Sequence, residues 1–401
     1  QNNQWTQRGT DINGETDKDQ SGGSISISGD GNTVAIGALN NGYSSYGVGE
    51  ANPHFLGGHV RIYSWDGTNW DQLGDDIDGE GSMAKMGRSV SLSDDGRTLA
   101  AASGSYWRIY KWNSDNNSWE NNSPAAAGSY SGQTEYSKYT VSLSGDGNTL
   151  IVGDHHADGW QKGEAKIYRW NGSTWTQLGN TIPRTYTHSY TSVSISEDGN
   201  TIAVGNETEN KNCWNDCNSR RGNVRVFTWN TDTNTWDQLG ARIDGENVNQ
   251  RLGNSVSLSS DGRTVAAGSW HGGGSHVFQW NESTSTWQAY NVPKDGGWPE
   301  TAQISNDGKT VTTEMYSASS HQSRAGVVRS FKYLDSRIRL DSAEYDSANG
   351  LLTLSGANFI RKTGQNNDID VSKLKITGQG NVVYQLTSDD IEIASSTEFS
   401  L

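Results

Sequence analysis

One phrase repeats six times along the 401-residue chain. Each copy contains a Ser-x-Ser run, an Asp-Gly turn, a short apolar run and an aromatic-rich run. The copies open at six tryptophans that are spaced 49 to 65 residues apart, namely Trp5, Trp70, Trp119, Trp175, Trp236 and Trp287. A regular period of this size is typical of a repeat architecture, in which every copy builds one structural unit.

Each copy predicts four antiparallel strands, here lettered a to d. Runs such as Ser89–Ser93 and Thr33–Gly37 are short and β-prone, and the Asp-Gly pair between strands a and b favours a tight hairpin. The aromatic run forms strand c, and the opening tryptophan begins strand d. Six copies predict an all-β fold, a six-bladed β-propeller over residues 1–335. Because the chain begins in a strand d at Trp5 and its last copy ends near Tyr333, we expect the N-terminal strand to complete the sixth blade.

The repeat stops after Tyr333, and residues 336–401 have a different pattern. Apolar runs at Leu351–Leu354, Val371–Gly378 and Val382–Leu386 alternate with polar segments. This spacing predicts a second domain, a small β-sandwich-like unit.

The charge balance restricts the partners of the chain. Forty-six acidic residues against 31 basic ones leave a net charge of −15, which argues against nucleic acid because phosphate binding needs a basic surface. An acidic surface holds divalent cations, so calcium is the cofactor to consider. No apolar run approaches the ~20 residues that span a membrane. Cys213 and Cys217 favour a small disulfide loop, and hence an extracellular or cell-surface location, with two free thiols as the alternative.

The repeat resembles a known family. Gly87–Gly96, Val34–Ala38 and Gly58–Tyr63 resemble the FG-GAP-type repeats of α-integrin-like propellers. The segments 70–80 and 236–246 are similar to a variant found in surface proteins of marine microbes. The resemblance implies a propeller and a role in adhesion. Integrin-type repeats often carry a calcium loop between strands a and b, but Ser28–Thr33 has a lone Asp-Gly pair. That pair lacks the six or more oxygen ligands that calcium takes, so we do not expect calcium in these turns.

The C-terminal unit has a resemblance of its own. The run Leu354–Phe359 is similar to Ig-like modules of large bacterial surface proteins. This similarity implies that the chain is part of a longer surface polypeptide.

The two faces of the propeller differ in their variability. The a–b and c–d turns are uniform, whereas the b–c and d–a connections vary in length and composition, and function on a repeat scaffold tends to lie where the repeats differ. Eleven tryptophans recur in strands c and d and are expected between blades. Five others fall in or beside the variable loops, where they either bind a ligand or pack the loops: Trp107, Trp160, Trp214, Trp270 and Trp298.

Polar side chains of the same variable face complete the predicted binding site. His155, His156, His271 and His321 are either metal or acid–base groups or ordinary loop residues. His59 and His276 begin strand c and are assigned to the scaffold. Tyr316 is a further candidate, and Arg220 and Arg251 either bind an acidic sugar or form salt bridges with neighbouring acids.

Three functions are compatible with this pattern. The first is an extracellular adhesion module that binds glycan or protein ligands through the variable-loop face. The second is a secreted polysaccharide-degrading lyase or glycoside hydrolase with its site on the same face, and the third is a spacer without a ligand. No Ser/His/Asp triad pattern, phosphate loop or His-Glu-x-x-His motif occurs, which favours binding.

Overall fold

A computed structural model describes residues 6–42, 57–81, 83–124, 127, 139–154, 164–183, 191–207, 221–269, 274–290, 292, 298–316, 326–332, 339–346, 351–357, 375–377, 383–385 and 398–400. At 191, 298–300, 314–316, 326–327 and beyond 338 the description covers the backbone alone. The chain divides into two compact units, Gln1–Lys332 and Tyr333–Leu401. No α-helix occurs within the described residues, and no helix among them is long and apolar enough to cross a bilayer.

The first unit is a six-bladed β-propeller, as the repeat predicts. Blade 1 contains β1 Ser21–Ile27, β2 Thr33–Ala38, β3 His59–Trp65, β4 Trp70–Gln72 and β5 Ile77–Asp78. Blade 2 contains β6 Ser89–Leu92, β7 Thr98–Ala102, β8 Trp107–Asn113 and β9 Ser118–Asn121. Blade 3 contains β10 Tyr139–Leu143, β11 Thr149–Asp154, β12 Glu164–Trp170, β13 Trp175–Gln177 and β14 Ile182–Pro183.

The remaining blades follow the same antiparallel order. Blade 4 contains β15 Thr191–Ile195, β16 Thr201–Asn206, β17 Asn223–Asn230, β18 Thr235–Gln238 and β19 Ile243–Asp244. Blade 5 contains β20 Val256–Leu258, β21 Thr264–Ala267, β22 His276–Asn281 and β23 Thr286–Tyr290. Blade 6 contains β24 Trp298–Ile304, β25 Thr310–Tyr316 and β26 Gly326–Lys332.

The predicted closure of the ring by the N-terminal strand can be compared with the structure only in part. Trp5 lies outside the described residues, so its pairing with blade 6 stays a prediction. The residues that follow it contact blade 1 as the end of a strand d contacts the next blade. Trp70 donates its indole N–H to the Arg8 carbonyl at 2.9 Å, just as Trp119 donates to the Leu73 carbonyl at 2.9 Å.

The recurring tryptophans pack where two blades meet. In each of five blades the last tryptophan of strand c stands opposite the first of strand d, with ring centroids 5.3 to 5.9 Å apart, in the pairs Trp65–Trp70, Trp112–Trp119, Trp170–Trp175, Trp229–Trp236 and Trp280–Trp287. A glycine at the end of the preceding strand d lies against these rings, as Gly179 does against Trp229. The phrase Trp-x-x-x-Gly therefore encodes contacts between neighbouring blades.

The Ser-x-Ser run joins the inner strands. Strand a of each blade lies beside strand a of the next around the axis. A serine hydroxyl of one blade accepts a backbone N–H from the next, as Ser91 does from Leu143 at 2.9 Å and Ser194 does from Leu258 at 3.0 Å. The apolar residues between the serines are buried, for example Val90 at 8% exposure and Leu92 at 6%. Because side chains alternate along strand a, the serines on one face form hydrogen bonds and the apolar residues on the other face are buried in the core.

The Asp-Gly turns are satisfied by their own hydrogen bonds. In blade 1 the Ser28 hydroxyl donates to Asp30 at 2.6 Å, the backbone N–H of Asn32 donates to the same carboxylate, and Thr33 N–H donates to Ser28 Oγ. These bonds, led by the one from Ser28, lower the pKa of Asp30 to about 2. The carboxylate of this turn thus accepts hydrogen bonds from the turn itself.

The second unit contains two small sheets. The first is formed by β27 Arg339–Asp346, β28 Leu351–Ala357 and β31 Glu398–Ser400, and the second by β29 Lys375–Thr377 and β30 Val383–Gln385. The predicted β-sandwich packing of this unit, its Ig-like character and the boundary at residue 335 stay predictions.

Candidate functional site at the channel mouth

The a–b turns of all six blades meet around the axis of the propeller. One residue of each turn follows the last serine of strand a, and these six are Gly29, Asp94, Gly145, Glu197, Ser260 and Asn306. Each of the first five donates its backbone N–H to the carbonyl of the next, at distances of 2.8 to 3.1 Å. This run of hydrogen bonds fixes the six backbones side by side, so the identity of each residue decides what lies over the channel.

Two of these residues are acidic, and a glycine between them lets them meet. A Cβ built on Gly145 would collide with Oδ2 of Asp94 and would lie 2.6 Å from Cγ of Glu197. The side chains of blades 2 and 4 therefore occupy the space that a side chain of blade 3 would fill. The side chains of Asp94 and Glu197 thus converge over Gly145.

The electrostatics of the pair follow from this contact. Burial first, and the charge of Glu197 second, raise the pKa of Asp94. Two ionised carboxylates at short range repel each other, so a proton or a cation between them is favourable. The pair is thus a place where positive charge is stabilised.

A cavity of about 700 Å³ opens over this pair. We call it the acidic mouth, and its lining consists of Asp94, Asp95, Gly145, Asp146, Glu197, Asp198, Ser260 and Asp261. Burial raises the pKa of Asp146 and of Asp198, but the hydrogen bonds from Ser144 and Asn148, and from Ser196 and Asn200, outweigh it and leave both values lowered. These two carboxylates stay ionised and add negative potential.

The chemistry of the mouth is that of an oxygen-rich cation site. Carboxylate and hydroxyl oxygens are the ligands that calcium prefers. The lining has no histidine, cysteine, lysine or arginine, so it offers neither a nitrogen or sulfur ligand nor a base of the histidine type. Asp94 and Glu197 are the groups best placed to hold an ion, with Ser260 beside them.

Sequence reasoning missed this site because it assigned the a–b turns to the scaffold. The signal was available at the position after the last serine of strand a. That position varies from glycine to acid to amide between copies, while the flanking serine and the Asp-Gly pair recur. The contact across Gly145, however, depends on the order of blades around the ring.

The structure corrects one predicted ligand-binding residue. Trp107 is 3% exposed and packs between blades 2 and 3 against Tyr168, with ring centroids 5.0 Å apart. It begins β8 and alternates with the buried Ile109, so it belongs to the core of the interface. Its position beside a variable loop made it look available to a ligand.

The other predicted site residues are not brought together by the described part of the chain. Arg251 is half-buried, with a φ of +53°. Trp298 and Tyr316 stand opposite each other as a backbone pair of β24 and β25. The remaining candidates lie outside the described residues: Trp160, Trp214, Trp270, His155, His156, His271, His321, Arg220, Cys213 and Cys217.

Comparison with known proteins gives the fold. No protein-family model and no curated protein matches the chain. A putative 6-phosphogluconolactonase from Bacteroides uniformis matches with a TM-score of 0.51 and 14% identity, over 82% of this chain and 83% of that one. A second, from Bacteroides fragilis, matches with a TM-score of 0.51 and 16% identity, over 83% of this chain and 82% of that one. At such identities the likeness extends to the propeller alone, and the resemblance to FG-GAP repeats stays a prediction beyond that fold.

Proposed function

We propose that this chain is a non-catalytic, extracellular binding module that engages glycan or protein ligands and holds a calcium ion at the acidic mouth. The observation that carries the proposal is the convergence of Asp94 and Glu197 over Gly145, in an open cavity lined by further carboxylates. The extracellular location rests on the sequence, through the two cysteines and the resemblance to surface proteins. The variable-loop face remains the proposed place for the glycan or protein.

The polysaccharide-degrading alternative requires two carboxyl groups on either side of the glycosidic bond that is cleaved. Retaining glycoside hydrolases hold their two carboxyl groups about 5 to 5.5 Å apart, and inverting ones about 6.5 to 9.5 Å apart. The side chains of Asp94 and Glu197 instead converge on one space over Gly145. Two acids directed at one point are suited to share a cation, so we rank hydrolysis below binding.

Lactone hydrolysis is the second candidate, because the names of the two similar propellers point to sugar lactones. Opening of a lactone ring requires a base that activates water and a donor that stabilises the oxyanion. The acidic mouth has carboxylates for the first role, but none of the described residues that line it is a positively charged donor for the second. We therefore rank this activity below binding and include it in the test.

The first experiment measures calcium binding by isothermal titration calorimetry on the whole chain. We expect binding by the unaltered protein and at least about a 10-fold loss in the double variant Asp94→Asn/Glu197→Gln, because it removes both charges that converge on the ion. The matched control is Asp232→Asn, which removes an exposed carboxylate from a c–d turn on the same face. Equal affinities in all three proteins would show that the mouth is not the calcium site.

The second experiment asks whether the protein binds or converts its ligand. A glycan array is probed with and without calcium, and the same preparation is incubated with acidic polysaccharides and with sugar lactones. Retention of a glycan without release of product supports a binding module. Shortened polysaccharide chains or an opened lactone would make the protein an enzyme.

A further inference from the structure

We propose that Glu15, His59 and Asp76 form a binding site for a divalent transition-metal ion of the zinc class, on the face opposite the acidic mouth. His59 begins strand c of blade 1, Asp76 follows strand d of the same blade, and Glu15 lies in the segment that precedes the blade. This site is independent of the calcium proposal, since the two share no residue.

The distances fit one ion. Nδ1 of His59 lies 3.3 Å from Oδ2 of Asp76 and 3.8 Å from Oε2 of Glu15, and the three ligand atoms lie within 4.8 Å of one another. Zinc bonds of about 2.0 to 2.2 Å in tetrahedral geometry separate neighbouring ligand atoms by roughly 3.3 Å. One imidazole nitrogen and two carboxylates are also a ligand set that zinc accepts.

The surroundings of the histidine point to a bound cation. The His59 side chain is 1% exposed, and its Nδ1 faces both carboxylates without forming a hydrogen bond to either. A lone pair on that nitrogen would be repelled by the two negative groups, so the arrangement is stable only with a proton or a metal ion on Nδ1. Arg61 reaches the far oxygen of Glu15 at 4.0 Å and leaves one negative charge of the pair uncompensated.

The side chains around the cluster hold its ligands in place. Asn41 donates its amide N–H to Oε2 of Glu15 at 2.9 Å, the oxygen that faces His59. Such outer contacts orient metal-binding carboxylates. Asp76 and Glu15 are 28% and 43% exposed, so solvent reaches the side of the cluster where a fourth ligand, a water molecule, would bind.

The other repeats show that the scaffold does not require these residues. Strand register places Tyr106 of blade 2 and Asn223 of blade 4 at the position of His59. In blade 4 the position of Asp76 is taken by Arg242. Blade 2 keeps the counterpart of Glu15 as Glu80 but lacks the histidine, and blade 4 lacks both the histidine and the aspartate, so the three groups coincide in blade 1 and in neither of these two blades.

The test is titration of the metal-free, full-length chain with Zn²⁺ alone. We expect one ion at this cluster per chain, a higher melting temperature with zinc than with EDTA, and a Co²⁺ derivative whose visible absorption indicates nitrogen and oxygen ligands in tetrahedral geometry. His59→Gln should weaken the affinity by at least about 10-fold. Because His59 is buried, Asp76→Asn and Glu15→Gln serve as milder variants with the same expected direction.

Two controls separate this site from others. Glu80→Gln removes the carboxylate that corresponds to Glu15 in the next repeat, where Tyr106 replaces the histidine, and should leave zinc affinity unchanged. The Asp94→Asn/Glu197→Gln variant should also keep zinc binding, so the two proposals fail separately. Unchanged zinc affinity in all three cluster variants, or no zinc binding by the unaltered chain, would identify the cluster as an ion pair around a protonated histidine and overturn the proposal.

Discussion

The glycine at the end of strand d offers a quantitative test of how neighbouring blades are joined. Gly179 has a φ of +70°, and a Cβ added there would lie 2.5 Å from Cζ3 of Trp229. That ring is held by its partner Trp236, which is 3% exposed and donates its indole N–H to the Leu178 carbonyl at 3.0 Å. Gly179→Ala should therefore cost about 1–2 kcal/mol for the left-handed backbone and a further 1–3 kcal/mol, roughly, for overpacking.

The matched control lies seven positions earlier in the same blade. Gly172 also has a positive φ, +97°, but nothing lies within 4 Å of an added Cβ. Gly172→Ala should show the backbone cost of about 1–2 kcal/mol alone. Urea unfolding of both variants, followed by tryptophan fluorescence, gives the difference in the free energy of unfolding. If the two substitutions destabilise equally, the contact of the glycine with the tryptophan pair does not join the blades.

Three further substitutions test other parts of the structure. Ser194→Ala removes the acceptor of the buried Leu258 N–H and should cost about 1–3 kcal/mol in urea unfolding, whereas the exposed Ser173→Ala should cost little. Trp107→Ala should lower the free energy of unfolding by about 3–5 kcal/mol, and any ligand affinity of the folded variant should be unchanged. Because the pKa of Asp94 is raised, the folded chain binds a proton that the unfolded chain releases, so stability falls as pH rises from the ordinary carboxyl range through the raised pKa. Asp94→Asn should remove that slope and stabilise the protein at neutral pH, as chemical unfolding between about pH 4 and pH 7 would reveal.

The blades could be predicted from the sequence because their determinants are local and repeated. Tryptophans such as Trp229 and Trp236 face each other across a short hairpin, and the serines alternate with apolar residues along a single strand. The alternation of polar and apolar residues is visible within one copy, and the period becomes visible when one copy is compared with the next. The predicted strands c and d, the Asp-Gly hairpins and the placement of the recurring tryptophans between blades all depend on such short-range patterns.

The site residues were harder to predict because they depend on which blades become neighbours. Asp94 and Glu197 belong to turns two blades apart and meet because the residue between them is Gly145. Trp107 was assigned to the ligand site because only the repeating tryptophans were assigned to the core. It lacks a counterpart among the repeating tryptophans, yet strand register places it where blade 1 has Val60 and blade 4 has Val224, both fully buried. Register, rather than the period of one residue type, identifies such a position as core.

Blade 1 differs from the other blades on its face that points away from blade 2. Ile25 and Ile27 of β1 are 66% and 59% exposed, whereas their counterparts in the other inner strands are buried or partly buried. Blade 6 has Thr312 and Ser330 where blade 4 has Ala203 and Val226. The two hydroxyls bond to each other at 3.0 Å, so blade 6 has polar atoms where blade 4 packs apolar side chains against blade 5.

Within the described residues, the N-terminal segment is attached to blade 1 by polar and ring contacts. The Arg8 guanidinium lies 4.6 Å from the centre of the Trp65 ring, and the Arg8 carbonyl accepts a hydrogen bond from the Trp70 indole N–H. Seven residues after Arg8, Glu15 lies 3.8 Å from Nδ1 of His59. Polar and ring contacts of this kind contribute less free energy than a fully buried apolar interface. A metal ion between Glu15, His59 and Asp76 would tie the same N-terminal segment to blade 1. It would thus add an ionic link between the N-terminal segment and a blade whose Ile25 and Ile27 are exposed.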